Sequence, residues 1–312
     1  MTHFDITAKK IWVAGHRGMV GSALVRRLQR EDCEIITATR DELDLINTAA
    51  VYDFVTRNRP DAIILAAAKV GGILANAEHP VEFLSENLAI ELNVINAAHR
   101  ADIQRLVFLG SSCIYPKLAK NPIPEEALLT GPLEPTNDAY AIAKIAGLKL
   151  CQAYRQQYGR DYISCMPTNL YGPHDNFDLH SAHVLAAFIA KAYQSKIEGQ
   201  QSFNVWGSGE PLREFMHVDD CADAIIFLMS HYSSDMHINI GSGEEIRITD
   251  LANLVLNAAG LTSNIVFDHS KPDGTPRKLL DSSRLQALGW TPRIALKEGI
   301  PALYNWYVEH RT

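Results

Sequence analysis

Several features typical of secreted, membrane-spanning or nucleic-acid-binding proteins are missing from this sequence. Its 312 residues include only five cysteines, scattered without a Cys-x-x-Cys pair, which predicts reduced thiols rather than a disulfide framework. The first ten residues contain no apolar signal core, and the aliphatic run at 62–68 is too short to span a bilayer. The formal net charge of -7 predicts no general affinity for nucleic acid or an anionic membrane. We therefore expect a cytoplasmic globular protein.

The first half of the chain alternates short apolar runs with longer segments of helical period. The runs are residues 10–15, 33–39, 61–68, 105–112 and 162–168. Continuously apolar runs of this length are typical of parallel strands that are buried on both faces. The pattern predicts an α/β fold of the Rossmann type, in which helices cover both faces of a doubly wound parallel sheet.

After about residue 172 the pattern loosens and predicts a smaller α/β lobe. Its expected elements are helices near 181–197, 220–231 and 248–260 and a strand near 237–242. No low-complexity linker separates the two parts, so we expect their boundaries to interleave. Residues 1–172 would bind a dinucleotide, 173–312 would mainly bind substrate, and the cleft between them would be the site.

A glycine-rich turn follows the first predicted strand and opens a helix. Gly15, Gly18 and Gly21 recur at three-residue intervals in GHRGMVG. Such glycines permit a tight turn, let the backbone approach a pyrophosphate and allow close packing of helix on strand. The helix N-terminus then faces the anion. The turn predicts a dinucleotide site.

The end of the second strand indicates which dinucleotide binds. An NAD site normally carries an acidic residue there for the ribose hydroxyls. This chain has Arg40 instead, together with Arg17 in the glycine turn, and two arginines suit the 2′-phosphate of NADPH or NADP+. The alternatives are that both arginines are merely solvated or that Asp41 turns inward and selects NAD.

Tyr140 and Lys144 occur at i and i+4 in YAIAK, on one face of a predicted helix. An ammonium beside a phenol favours the phenolate, so we expect Lys144 to lower the pKa of Tyr140 and to fit it for proton transfer at a carbonyl. Ser111 precedes them in LGSSCIYP. Cys113, two residues later in what we expect to be an extended segment, would face the same side. A cysteine in such a place is more often a small core hydrophobe.

These motifs carry a family resemblance. The glycine turn, SSCIYP and YAIAK resemble the extended short-chain dehydrogenase/reductase superfamily. The additional stretches AAAKVGGI, MPTNLYGPHDNF, WGSGEPLREFMHVDD and SKPDGTPRKLLD resemble the GDP-L-fucose synthases within it. Members of that family are NADPH-dependent homodimers that invert C3 and C5 of GDP-4-keto-6-deoxy-D-mannose and then reduce C4.

The resemblance implies a set of site residues. For catalysis they are Ser111, Cys113, Tyr140, Lys144 and His183, with Cys113 and His183 exchanging protons during epimerisation. For the cofactor they are Gly15, His16, Arg17, Gly18, Met19, Val20, Gly21, Arg40, Asp41, Leu43, Leu109, Gly110, Ser111, Ser112, Tyr140, Lys144, Pro167, Thr168, Asn169, Leu170 and His183. For the GDP-sugar they are Lys191, Trp206, Arg213 and Asp273.

Three alternatives to this interpretation remain at the level of sequence. His174, His180 and His183 lie close together, but they lack helical spacing with a carboxylate, and we expect no metal. A sugar-nucleotide 4-epimerase or 4,6-dehydratase would share the glycine turn and YxxxK without net reduction. A dinucleotide sensor without catalysis would not need Ser111, Tyr140 and Lys144 together.

Overall fold

The computed structural model describes residues 4–271 and 273–311. The strands in this part of the chain are β1 (Lys9–Ala14), β2 (Cys33–Ile36), β3 (Ala62–Leu65), β4 (Arg105–Leu109), β5 (Asp161–Pro167), β6 (Asn169–Tyr171), β7 (Ser202–Trp206), β8 (Leu212–His217), β9 (Ile238–Ile240), β10 (Glu245–Arg247), β11 (Asn264–Asp268) and β12 (Arg277–Lys278). The α-helices are α1 (Met19–Leu28), α2 (Thr48–Asn58), α3 (Ile73–Glu78), α4 (Pro80–Arg100), α5 (Asp138–Tyr158), α6 (Val184–Glu198), α7 (Val218–His231), α8 (Ile248–Ala259), α9 (Ser283–Ala287) and α10 (Leu296–His310). None of these helices is long and apolar enough to cross a membrane.

The largest layer is a six-stranded sheet in the order β2-β1-β3-β4-β5-β9, with every pairing parallel. Alternate side chains of β1 enter two different cores. Ile11 and Val13 pack with α1 and α7, whereas Trp12 packs with α2, α4 and α5 on the opposite face. Burial on both faces explains the continuously apolar runs. The predicted doubly wound Rossmann-type sheet is confirmed.

The smaller lobe has its own sheets and its own core. Strand β8 pairs with β6, β10 and β12, and β7 pairs separately with β11. Helices α6, α8 and α10 bury the apolar side chains of this lobe between them. The lobe therefore stands beside the carboxyl edge of the large sheet as a separate packing unit.

Two elements that we expected in the smaller lobe are part of the Rossmann-type unit around the large sheet. Helix α7 packs against α1, and β9 pairs in parallel with the outer edge of β5. The expectation that residues 220–231 and 237–242 belong to the smaller lobe was wrong. The apolar pattern of a helix or strand does not show which of two sheets it packs against. The chain thus leaves the large sheet after β5 and comes back to complete it.

Candidate active site

A cavity of about 930 Å³ opens between the carboxyl edge of the large sheet and the smaller lobe. Ligands of doubly wound folds bind at this edge, beyond the ends of the strands. Every candidate residue from the sequence lines the cavity except Asp41. One site therefore contains residues from both parts of the chain.

The glycine turn forms one end of the cavity. Gly15 has a φ of +90°, and a side chain there would meet the backbone of Ala67 at 2.7 Å. A side chain at Gly21 would collide with the carbonyl of Gly15. Only glycine at position 21 therefore lets helix α1 pack this closely against the turn. Helix α1 begins after Gly18 with no side-chain cap, and Nδ1 of His16 is buried without a partner. Uncapped N–H groups and free donors suit the pyrophosphate of a dinucleotide.

The residues after β2 distinguish the two nicotinamide cofactors. Arg17 and Arg40 are exposed and line the cavity. Asp41 is exposed and lies outside the lining, because a turn closed by the Leu43 N–H on the Thr39 carbonyl at 2.9 Å directs it to solvent. The predicted contact between Asp41 and the cofactor stays a prediction, and among the predicted cofactor residues Asp41 alone lies outside the lining of the cavity. Arg40 after β2 and Arg17 in the glycine turn after β1 both line the cavity, and their two positive charges fit a 2′-phosphate.

Tyr140 and Lys144 lie on the face of α5 that closes the site. The Tyr140 hydroxyl is hydrogen-bonded to Ser111, and burial raises the pKa of Tyr140 well above its ordinary value. Lys144 is 2% exposed, donates from Nζ to the Leu109 carbonyl at 3.1 Å and forms an ion pair with Glu91 at 3.1 Å. The expectation of a lowered Tyr140 pKa was wrong for this structure, because burial of the phenol outweighs the other contributions. Tyr140 is consequently a proton donor.

Cys113 lies in a 3₁₀ turn, Ser112–Ile114, rather than in the extended segment that we expected. Strand β4 ends at Leu109, and Oγ of Ser111 then caps the turn by accepting from the Cys113 N–H at 3.2 Å. Both side chains still line the cavity. The Cys113 sulfur accepts from Nδ2 of Asn137 at 3.4 Å and lies 3.7 Å from Nζ of Lys278. Polar partners of this kind distinguish Cys113 from a core thiol.

His183 is the N-cap residue of α6 and faces the same cavity. Its ring is accessible from the cavity but deep in the cleft, and this desolvation, with a contribution from the Lys278 charge, lowers its pKa. The ring is thus neutral near pH 7 and able to take a proton. His180 pairs instead with Glu78 at 3.0 Å. No group of three metal-binding side chains occurs in residues 4–271 and 273–311.

The four predicted GDP-sugar residues surround the end of the cavity in the smaller lobe. Nζ of Lys191 lies 5.3 Å from the centre of the half-exposed Trp206 ring. Arg213 donates to the backbone carbonyl of Asp273 at 3.4 Å, and the Asp273 carboxylate holds the Ser208 N–H at 2.7 Å. Two cations beside an exposed aromatic ring can hold a diphosphate and a flat base.

Four residues of functional interest were missed by sequence reasoning. Asn137 lies three residues before Tyr140, Lys278 lies in SKPDGTPRKLLD, and only the fold brings both to Cys113. Asp175 lines the cavity with Oδ2 buried and unpaired, and burial raises its pKa to about 7. Glu91 had one usable signal, because it is an acid on the face of α4 that buries its apolar neighbours.

Comparisons with known proteins agree with this arrangement. The model of the NAD dependent epimerase/dehydratase family matches residues 11–241. A GDP-L-fucose synthase of Sinorhizobium fredii is 56% identical over 99% of both chains, and one of Escherichia coli is 51% identical over 98% of both.

Solved structures of sugar-nucleotide enzymes also resemble this chain over almost its whole length. A GDP-L-fucose synthetase of Naegleria fowleri bound to NADP is 28% identical and has a TM-score of 0.90, with 99% of this chain and 96% of that chain covered. A GDP-6-OMe-4-keto-L-xylo-heptose reductase of C. jejuni is 35% identical, with a TM-score of 0.94 over 99% of this chain and 100% of that chain. From the site geometry and these matches, the chain belongs to the NAD dependent epimerase/dehydratase family and, within it, to the GDP-L-fucose synthases.

Proposed function

We propose that this protein converts GDP-4-keto-6-deoxy-D-mannose into GDP-L-fucose by inverting C3 and C5 and then reducing C4 with NADPH. The observation that carries the proposal is a single cavity lined by two sets of groups. Ser111, Tyr140 and Lys144 form the carbonyl-reducing set, and Cys113 and His183 form a pair able to exchange protons. A simple reductase needs only the first set.

The cofactor fits the turn at the end of β1. The glycines and the uncapped N-terminus of α1 would hold the pyrophosphate, and Arg17 and Arg40 would hold the 2′-phosphate. When bound, NADPH supplies the hydride for C4. The chain itself contributes orientation and the exclusion of water by the smaller lobe.

Epimerisation depends on proton exchange at the carbons that flank the ketone. Those protons become labile when the enolate oxygen is stabilised, and the hydroxyls of Ser111 and Tyr140 are the donors available for this purpose. Cys113 and His183 then remove and return protons on the ring carbons. Nζ of Lys278 lies 3.7 Å from the Cys113 sulfur, and its charge contributes to the lowered pKa of His183.

Reduction uses the same hydroxyl. Because burial raises the pKa of Tyr140, the phenol keeps its proton at neutral pH and can give it to the C4 oxygen. Ser111 holds the phenol in place by its hydrogen bond. Lys191, Arg213, Trp206 and Asp273 would anchor the GDP moiety at a distance from the reacting carbons.

The test is incubation with GDP-4-keto-6-deoxy-D-mannose and NADPH in deuterated water. We expect oxidation of NADPH and deuterium at both C3 and C5 of the product, read by mass spectrometry and NMR. Cys113→Ser should lose exchange, Tyr140→Phe should lose reduction, and Cys33→Ser, outside the cavity, should retain both. Oxidation without label would mean a plain 4-reductase, and label without oxidation would mean an epimerase.

We also propose that the protein is a homodimer held by α4 and α5. These long helices pack on each other and carry exposed apolar side chains, Val81, Leu92 and Ile142. Apolar side chains on neighbouring helices favour a second copy as partner. Sedimentation equilibrium should give the mass of two chains, and Leu92→Glu with Ile142→Glu should give one. A wild-type monomer would contradict the proposal; Val308→Glu on α10 is the matched control.

A cytoplasmic location is the last part of this proposal. All five cysteines are free thiols, and Cys113 must stay reduced to exchange protons. Fractionation of cells that express the tagged protein should recover it with cytoplasmic markers. Recovery with an oxidising compartment would contradict the location.

A further inference from the structure

A carboxylate without a part in the proposed mechanism lines the cavity on the connection between β4 and α5. Glu134 is followed by Pro135, and the Asn137 N–H closes a turn on the Glu134 carbonyl at 3.1 Å. Proline is favoured at the second position of such a turn. The same turn presents the Glu134 side chain and the Asn137 amide, which donates to the Cys113 sulfur at 3.4 Å.

Polar groups hold the Glu134 carboxylate in one place. Nζ of Lys117 lies 3.1 Å from Oε2, and the hydroxyls of Thr136 and Thr275 donate to Oε1 and Oε2 at 3.4 and 3.3 Å. Burial alone would raise the pKa of Glu134, but these hydrogen bonds and the Lys117 charge together lower it. The side chain is 15% exposed. A carboxylate has about four acceptor sites, so these contacts leave capacity for a ligand.

Glu134 lies between the thiol proposed for epimerisation and the guanidinium proposed for the diphosphate. On one side, Asn137 of its own turn contacts the Cys113 sulfur. On the other side is Arg213. Burial lowers the pKa of Arg213, and the charges of Asp273 and Glu134 oppose that shift, so both carboxylates lie within electrostatic reach of the guanidinium. The carboxylate is therefore placed beside the ring of a sugar that joins the two ends.

The chemistry of the sugar identifies the group that such a carboxylate can bind. In a hexose with a diphosphate on C1 and a ketone at C4, C1 is connected to the flanking carbons through the ring oxygen or through C2. The ring oxygen has no proton to donate. The C2 hydroxyl is a donor and keeps its configuration, whereas the C3 hydroxyl changes face when C3 is inverted. A fixed acceptor at this place therefore matches the C2 hydroxyl.

We propose that Glu134 binds the C2 hydroxyl of the sugar and makes the site selective for that hydroxyl, with Lys117 holding the carboxylate in place. The inference rests on the proposed function, because it concerns the hexose of the GDP-sugar. Lys117 also offsets the charge of Glu134 and so reduces its repulsion of the diphosphate. A sugar without the C2 hydroxyl would leave the carboxylate short of a partner and would bind more weakly.

The test is calorimetric titration with two ligands that differ only at C2, GDP-D-mannose and its 2-deoxy analogue. Wild type should bind the 2-deoxy analogue about 10- to 100-fold more weakly, as expected for the loss of a hydrogen bond to a charged group. Glu134→Ala should bind the two ligands with affinities within about 3-fold of each other, because the distinguishing group is gone. Glu134→Gln, whose neutral amide is a weaker acceptor, should give an intermediate ratio, and it serves if Glu134→Ala does not fold.

Glu126→Ala is the matched control. Glu126 lies on the same connection between β4 and α5 and forms an ion pair with Arg284, but it is exposed and outside the cavity lining. Its variant should therefore keep the wild-type ratio of affinities for the two ligands. A control that lost the ratio would show that the discrimination does not depend on a contact with Glu134, and it would overturn the proposal.

The ratio of the two affinities separates a sugar contact from a structural role. A purely structural effect of Glu134 would weaken both ligands by the same factor, so a wild-type ratio in Glu134→Ala and Glu134→Gln would overturn the proposal. Equal binding of both ligands by wild type would overturn it as well.

The titrations need no hydride or proton transfer, so they also separate this inference from the proposed function. A ratio that falls in the variants, combined with no reduction of GDP-4-keto-6-deoxy-D-mannose by wild type, would refute the proposed function and leave the sugar contact intact. An unchanged ratio in an active enzyme would refute the contact alone. A wild type that binds neither ligand would refute both.

Discussion

Replacement of Arg40 by serine should change the choice of cofactor without damaging the site. The side chain is exposed and lines the cavity. NADPH and NADH differ only by the 2′-phosphate. A residue that binds this group should therefore affect one cofactor and leave the other unchanged.

The expected loss of NADPH binding free energy in Arg40→Ser depends on how exposed the guanidinium is. A hydrogen bond to a charged group contributes about 1.5–3 kcal/mol, and exposed ion pairs contribute about 1 kcal/mol or less. For an exposed guanidinium that meets a doubly charged phosphate we expect about 1–2 kcal/mol, which corresponds to roughly a 5- to 30-fold weaker binding of NADPH. Arg17→Ser should act in the same direction, because Arg17 lines the same cavity.

The assay is calorimetric titration of NADPH and NADH into wild type, Arg40→Ser and Arg30→Ser, followed by kcat/KM with each cofactor. Arg30 is an exposed arginine outside the cavity lining, so its variant should bind both cofactors as wild type does. Equal weakening of NADPH and NADH by Arg40→Ser would show a structural effect. Unchanged binding of NADPH would show that Arg40 is merely solvated, and either result would refute the reasoning.

Three further predictions concern buried or cavity-lining groups. Lys278→Met should raise the pKa of His183 toward its ordinary value, so the pH limb of deuterium exchange due to His183 should move to higher pH; an unmoved limb would contradict the coupling. Gly147→Ala should displace the Glu91 carboxylate from Lys144 and lower the free energy of unfolding, measured in urea titrations, by about 3–5 kcal/mol. A loss below about 1 kcal/mol would show that the ion pair accommodates the added methyl group and would contradict this prediction. The carboxyl of Asp175 has a pKa raised to about 7, so its ionisation should lower wild-type stability as the pH rises from about 4 to 7; Asp175→Asn should remove that slope in thermal melts, and an identical slope would refute it.

The parts of the site that were predictable are those written in consecutive residues. The glycine turn carries its own strand and helix, so Gly15, Gly18 and Gly21 could be placed before any packing was known. Tyr140 and Lys144 share a helix face for the same reason. Short-range geometry of this kind survives in almost any tertiary context.

The parts that were not predictable depend on packing between distant segments. Lys278 reaches Cys113 only because β12 pairs with β8, and Glu91 reaches Lys144 only because α4 packs on α5. Burial of the phenol in the packed cleft raises the pKa of Tyr140, so an argument from the spacing on one helix gave the wrong direction for this pKa. The turn at Ser112–Ile114 was missed because apolar residues in a strand and in the turn after it look alike.

The late return of β9 to the large sheet has a consequence during synthesis of the chain. Until residue 240 leaves the ribosome, the outer edge of β5 at Cys165–Pro167 has no neighbour. About 70 residues separate the two strands, which at roughly 5–20 residues per second leaves that edge open for about 4–15 s. An unpaired apolar edge is a template for strands of other chains. The nascent protein therefore passes through an interval in which a chaperone would protect it, and a fragment that ends before β9 would keep this edge exposed permanently.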